Sequence, residues 1–317
     1  LRQIAFGMAV AASVGCAGAV RAEACGPEAL GTHRTLKISA ADGPVGVFNY
    51  KKSLDLNDRE VVLTFDDGPM PKRTPAVLEA LGRECVKATF FVVGSMVANS
   101  PDILRETARA GHTIGTHTWS HRYLNRTRTQ KTREEQIAGG LHAASIVLGG
   151  ENRAQLSPLF RFPGLGRSKA LDRFVETNGL ISMSVDVVSD DWRKISPDEV
   201  LKRSLARLEA RGKGILLLHD IQPRTVAMLP ELLKELKARG FRIVHVTTDA
   251  RETEVALANL SEPQNKSFQI VMARTRQKLD VLTAQAKAGP GDSFVPERRN
   301  VKVAVRGFEE LGLRGLR

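Results

Sequence analysis

The sequence predicts an α/β fold whose parallel strands close into a barrel. Three observations carry this expectation. Short apolar runs of strand length alternate with helix-like stretches from Glu60 to about Val246. About seven such β-then-α units can be counted, which suits a barrel better than an open sheet. Polar residues gather where the apolar runs end, as they do where the loops of a barrel converge on one face.

Taken in order, Val61 to Phe65 is a buried-strand pattern, and Thr74-Pro75 reads as the cap of a helix carrying Val77, Leu78 and Leu81 on one face. Ala88 to Val93 is the next strand. Ser100-Pro101 opens a helix that Gly111 closes, His112 to Thr116 is a strand, and a helix runs through Ile137 to Leu148. Leu159 to Arg161, Leu180 to Val185, Ile215 to Leu218 and Phe241 to Val246 complete the strands, with Ser196-Pro197 and Gln222-Pro223 opening helices between them.

The flanks differ from this core. Arg2 followed by the uncharged run Ile4 to Val20 reads as a secretion signal, with small-x-small cleavage sites at Val20-Arg21-Ala22 and Ala22-Glu23-Ala24. The expected organisation is therefore a signal over residues 1–24, a β-rich extension over 25–59 with a loop at Asp42-Gly43-Pro44, a catalytic domain over 60–250, and a lightly attached tail over 251–317. Removal of the signal takes Cys16 with it. The two remaining cysteines, Cys25 and Cys85, are a disulfide candidate in an oxidising compartment, with a buried thiol or a lipid anchor on Cys25 as the other readings. No other long apolar run occurs, so no membrane span is expected after cleavage.

Composition narrows the function classes. The 317 residues are 42% hydrophobic and 26% charged, with a net charge of +12. That charge suits nucleic acid or an anionic envelope polymer equally. With only 5% aromatic residues, two Trp and two Tyr, no aromatic-plus-basic nucleic-acid module is present, and a nucleic-acid partner is not expected.

The chemistry-bearing residues sit at the strand ends. "TFDDGP" places Asp66 and Asp67 side by side, and "GTHTWSHRYL" places His117 and His121 four residues apart. Two histidines and one carboxylate make a catalytic metal set with coordination positions left over. "FRFPG" adds Arg161, "SDDW" adds Asp191 beside Trp192, and "ILLLHD" ends in His219-Asp220. Singly, each has a bland explanation: a surface pair, a turn cap, a satisfied buried histidine. Their recurrence at successive strand ends does not.

Through these motifs the sequence resembles the polysaccharide deacetylases with a NodB-like domain, carbohydrate esterase family four, over roughly residues 60–247. It departs from the family pattern at Val188, where an acidic residue is frequent, and at Gly164, where many members carry Tyr. The resemblance implies a distorted (β/α)7 barrel; the N-terminal signal pattern separately places the mature protein in the periplasm or outside the cell. The implied activity is removal of acetyl groups from N-acetylglucosamine units of peptidoglycan, chitin oligomers or an exopolysaccharide. It assigns Asp67, His117 and His121 to one divalent metal, typically Zn2+ with Co2+ an alternative. It makes Asp66 the general base oriented by Arg161, and His219 the general acid tuned by Asp191. Trp192 and Leu217 would line the acetyl pocket, and the backbone N–H of Gly164 would face the oxyanion.

Three further readings stand beside this one. An O-deacetylase on acetylated xylan would use the same motifs. An iron oxygenase would use the two histidines and carboxylate but has no need of the acid/base pair. A glycan-binding homologue without activity is expected only of a degraded site.

Overall fold

The computed structural model describes residues 26–288. The expected signal, Cys25 and residues 289–317 lie outside the described residues. Cys85 is disulfide-bonded.

Among the described residues, nine strands form one sheet: β1 (Thr32–Lys37), β2 (Glu60–Asp66), β3 (Thr89–Val92), β4 (Thr113–Thr116), β5 (Leu156–Phe160), β6 (Ile181–Ser182), β7 (Val187–Val188), β8 (Gly214–His219) and β9 (Arg242–Thr247). All pairings between them are parallel. The helices are α1 (Arg73–Arg83), α2 (Gly94–Asn99), α3 (Pro101–Arg109), α4 (Gln130–Val147), α5 (Lys169–Thr177), α6 (Pro197–Arg211), α7 (Pro223–Ala238), α8 (Ala250–Asn259) and α9 (Lys266–Ala288). Seven strands run in the order β7-β8-β2-β3-β4-β5-β6, while β9 joins the start of β2 and carries β1 on its other side. The expected distorted seven-unit barrel is what forms, curled but open between β6 and β7, which do not pair among the described residues.

Segment 45–48 of the N-terminal extension fills that seam. Val45 bridges Met183 in parallel, with its N–H donating to Ser182 O and its carbonyl accepting from Ser184 N. The N–H of Phe48 donates to Val185 O and that of Val47 to the Asp186 carboxylate. Gly46 is required here: its φ is +101° and a Cβ would fall 2.5 Å from the carbonyl carbon of Ser184.

Strand alternation divides the core. Val61, Leu63 and Phe65 of β2 and Leu216 and Leu218 of β8 face outward, joining one cluster with Val77 and Leu81 of α1 and Leu229 and Leu232 of α7. Val62 and Ile215 face inward with Phe91, Leu159, Met183, Val244, Val246, Leu54 and Leu56. Burial on both faces explains the unbroken apolar runs, and truncating an outward residue such as Leu63 to Ala should cost about 2–5 kcal/mol. The same alternation turns Thr64 and Asp66 inward, toward the mouth of the barrel.

Several elements differ from expectation. The extension holds one strand of three or more residues, β1, rather than several. β5 lies earlier than Leu159–Arg161, leaving Arg161 just past its end, and the expected 180–185 strand pairs with β5 only over Ile181–Ser182. Helix α1 starts at Arg73, and Thr74 is no cap: its hydroxyl accepts from Met70 N and donates to Asp220. The stretch beyond 250 packs as far as it is described. Phe268, Met272 and Leu279 of α9 are buried at helical spacing, and the Phe268 ring lies 4.9 Å edge-on from that of Trp119.

Candidate active site

The site occupies the C-terminal ends of the strands. Asp66 ends β2, and alternation would send Asp67 outward. Asp67 instead takes a left-handed backbone (φ 82°) ahead of the cis Gly68-Pro69 bond, and its carboxylate turns back into the mouth. Thr118, His121 and Asp190 on the neighbouring loops also have positive φ. Such conformations cost free energy and persist where the surrounding structure holds functional side chains in place.

Asp67, His117 and His121 come together with one ligand atom of each within 4.8 Å of the others. Nε2 of His121 is 3.2 Å, and Nε2 of His117 3.6 Å, from Asp67 Oδ1. Nδ1 of His117 lies 2.8 Å from the carbonyl of Arg161, which can only accept, so Nδ1 carries the proton and Nε2 offers a bare lone pair. Burial first, then the nearby charge of His121, holds the pKa of His117 well below the usual histidine range, so it is neutral. Asp67 Oδ1 is buried without a hydrogen-bond partner. A neutral imidazole, a second imidazole and an unpartnered carboxylate oxygen converging on one point fit a divalent cation.

Asp66 has a different environment. Arg161 is wholly buried, and its NH1 donates to Asp66 Oδ1 at 2.7 Å and to Thr64 Oγ1 at 2.8 Å. Its Nε and NH2 are fixed by the carbonyls of Met183 and Ser184, and its guanidinium lies 4.0 Å over the Phe91 ring. Burial raises the Asp66 carboxyl above its ordinary pKa, against the pull of Arg161 and His219, and the charge of Asp67 adds to the rise. The result is a carboxylate oriented by a fixed cation and more basic than one in water.

Across the mouth, Nδ1 of His219 is 2.7 Å from Asp191 Oδ1, while Asp191 Oδ2 accepts from His219 N and Thr225 Oγ1. Burial alone would lower the pKa of His219. The charge and hydrogen bond of Asp191, with Asp67 and Asp66 behind them, raise it to about 10. His219 therefore holds a proton at neutral pH, with Nε2 directed away from Asp191. Trp192 packs edge-on against its ring at 5.6 Å, and Leu217 lies one inward position deeper on β8. Gly164 sits in the turn after Arg161 with φ 59°.

All ten sequence-designated residues are thus found on the loops and strand ends of one face. Sequence reasoning does not single out Asp220 or Tyr123, which the structure places in the same site. Asp220 is buried and raised to about 7, chiefly by burial, and braces the Asp67 turn: a Cβ on Gly68 would meet its carboxylate at 2.0 Å. A polar residue directly after an apolar strand was its signal. Tyr123 lies two residues beyond His121 and lacked any distinguishing pattern.

Residues 53–180 match the family described as Polysaccharide deacetylase. The chain is 35% identical over 190 residues to the peptidoglycan-N-acetylglucosamine deacetylase PgdA of Listeria monocytogenes, covering 60% of this chain and 38% of that protein. It therefore spans well under half the length of that relative. It is 32% identical over 199 residues to a chitooligosaccharide deacetylase of a Bradyrhizobium strain, covering 58% of this chain and 88% of the other. Among solved structures, a peptidoglycan deacetylase of Bdellovibrio bacteriovorus superposes with a TM-score of 0.60 at 37% identity, covering 68% of this chain and 58% of that one.

Proposed function

The chain belongs to the polysaccharide deacetylase family, and from that premise we propose that it removes acetyl groups from N-acetylglucosamine units of a cell-envelope or chitin-like glycan. One observation carries this reading: a buried carboxylate held by Arg161 and a protonated histidine held by Asp191 face each other beside the Asp67, His117 and His121 set. The set suits Zn2+, with Co2+ as a substitute. A cation held there supplies Lewis-acid polarisation of the acetyl carbonyl and lowers the pKa of a nearby water.

This chain's own residues then account for the proton movements. Asp66 accepts a proton from the attacking water, and Arg161 keeps the accepting oxygen aimed. Negative charge developing on the carbonyl oxygen is met by the Gly164 N–H. His219 delivers its proton to the departing nitrogen, without which an amine cannot leave, and Asp191 stabilises the imidazolium until that moment. Leu217 and Trp192 shelter the acetyl methyl group.

Export, expected from the apolar run before residue 21, would bring the protein to such a glycan. No described helix is long and apolar enough to cross a membrane. Acetate release and product mass spectrometry on peptidoglycan, N-acetylglucosamine oligomers and acetylated xylan test the reading. Acetate from the xylan alone would replace it with O-deacetylation.

A further inference from the structure

Three aromatic side chains stand well out of the protein among the described residues: Phe48 at 58% exposure, and Tyr123 and Trp192 at 44% each. All three lie at the catalytic end of the sheet. Tyr123 follows β4, Trp192 follows β7, and Phe48 is pinned by its N–H to Val185 O just beyond β6. Exposure of large aromatic area costs solvation, and its confinement to one face marks a surface that meets a ligand.

Tyr123 and Trp192 each touch a histidine of the site. Tyr123 meets His121 edge-on at 5.8 Å, and Trp192 meets His219 edge-on at 5.6 Å. The two rings thus flank Asp66 from either side, in the strand order β8-β2-β3-β4. Tyr123 can stand where it does because residue 164 is glycine. A Cβ there would lie 2.0 Å from Tyr123 Cε1 and 2.9 Å from Cδ1. The ring occupies the space any side chain at 164 would need. Arg126, with its guanidinium 5.2 Å from the ring centroid and its N–H bonded to the Tyr123 carbonyl, holds the loop in place.

We propose that Tyr123 is a specificity-determining residue which, opposite Trp192, forms the second aromatic wall for a pyranose ring of the glycan, and that Gly164 is the vacancy that seats it. Aromatic faces complement the C–H faces of a sugar ring while leaving its hydroxyls to polar partners. The identity of the sugar rests on the function proposed above; the presence of the wall does not depend on turnover.

The test is binding and kinetics with the pentamer of β-1,4-linked N-acetylglucosamine, using zinc-loaded full-length protein with metal content measured for every variant. Tyr123→Ala is expected to weaken pentamer affinity about tenfold and to raise KM more than it lowers kcat. Tyr123→Phe is expected to bind like wild type. Gly164→Ala should displace the ring and weaken binding, and the double variant Tyr123→Ala/Gly164→Ala should bind no worse than Tyr123→Ala alone, since both changes remove one wall. Wild-type affinity in Tyr123→Ala with full metal content overturns the proposal. So does loss of affinity that merely tracks loss of metal. If wild type binds the pentamer, the variants weaken it as stated, and no acetate is released, the wall stands and the deacetylase reading falls. If wild type does not bind the pentamer, the wall is overturned for this sugar.

Discussion

Asp66 and His219 are register partners: they end β2 and β8 side by side, both on the inward face of the sheet. Neighbouring strands lie about 4.8 Å apart. A group that gives up a proton to one residue and receives one from the other is therefore confined to a space little wider than an acetyl carbon. Their environments raise both groups above their ordinary pKa for different reasons: burial makes the Asp66 carboxyl, aimed by Arg161, a stronger base, and Asp191 keeps the proton on His219.

Asp66→Asn should keep the cation, because the proposed ligand set is Asp67, His117 and His121 without Asp66. It should lose about two to four orders of magnitude in turnover. Elemental analysis beside acetate-release kinetics checks both halves, and a variant that comes out metal-free would show the two aspartates to have been assigned the wrong way round.

Removal of the cation by a chelator should abolish acetate release, and added Zn2+ or Co2+ should restore it. Full activity in protein shown by elemental analysis to be metal-free would refute the assignment of Asp67, His117 and His121.

His219→Ala should hurt amide substrates more than activated aryl acetates, because an aryl oxide leaves without a proton. Asp191→Asn should act through the same histidine. With the largest of the charges that raise His219 gone, its pKa drops. A general acid works only below its own pKa, so the alkaline limb of the kcat profile should move to lower pH in Asp191→Asn. An unmoved limb would remove His219 from the acid role.

Arg161→Met leaves Asp66 as a buried carboxylate without its hydrogen-bonded guanidinium. Breaking a buried pair in this way costs about 3–5 kcal/mol. The expected outcome is a large fall in the urea midpoint, together with a further rise in the Asp66 pKa and loss of turnover near neutral pH. A variant as stable as wild type would mean that the guanidinium is not the partner holding Asp66 charged.

Two histidines outside the site should shape acid stability. Burial, with the charge of Lys87, lowers His112 to about 3 and His245 to about 4. Both stay neutral when folded, whereas the unfolded chain takes up protons below about pH 6.5. Their contribution is present above that pH and is lost as pH falls toward the folded values. Asp220, raised to about 7, acts in the opposite sense as it takes up its proton in the folded state. The difference isolates one group: between about pH 6 and pH 5, His245→Gln should lose about 1.2 kcal/mol less stability than wild type. Parallel unfolding curves for the two proteins would rule this out.

What was legible beforehand divides along physical lines. The strand pattern of Val61 to Phe65 and the Ser-Pro start of α6 are local, so sequence sufficed. The cluster of Asp67, His117 and His121 was legible because its residue types are rare together and recur at strand ends. Two-residue pairing at β6 was not, because Leu180 to Val185 has strand composition throughout and only tertiary partners decide where pairing stops. Burial of α9 turned on Phe268 finding Trp119, a contact between residues far apart in sequence. The place of Tyr123 depended on an empty Cβ position on another loop.

The seam between β6 and β7 sets an order of assembly. Val45 and Phe48 leave the ribosome before any of the strands they brace, and their partners at Ser182 to Val185 come only after β5 has been made. The ring cannot be stitched until that distant segment arrives, and closing so long a loop is slow as well as entropically costly. In the interval Val45, Leu54 and Leu56 have only the earlier part of the inward core, such as Val62, Phe91 and Leu159, to cover them, without Met183, Ile215, Val244 and Val246. The N-terminal extension, made first, is locked only by segments made later, Ser182 to Val185 for Val45 and Phe48 and β9 for β1, and it is there that a nascent chain would be most exposed to aggregation or to capture by a chaperone.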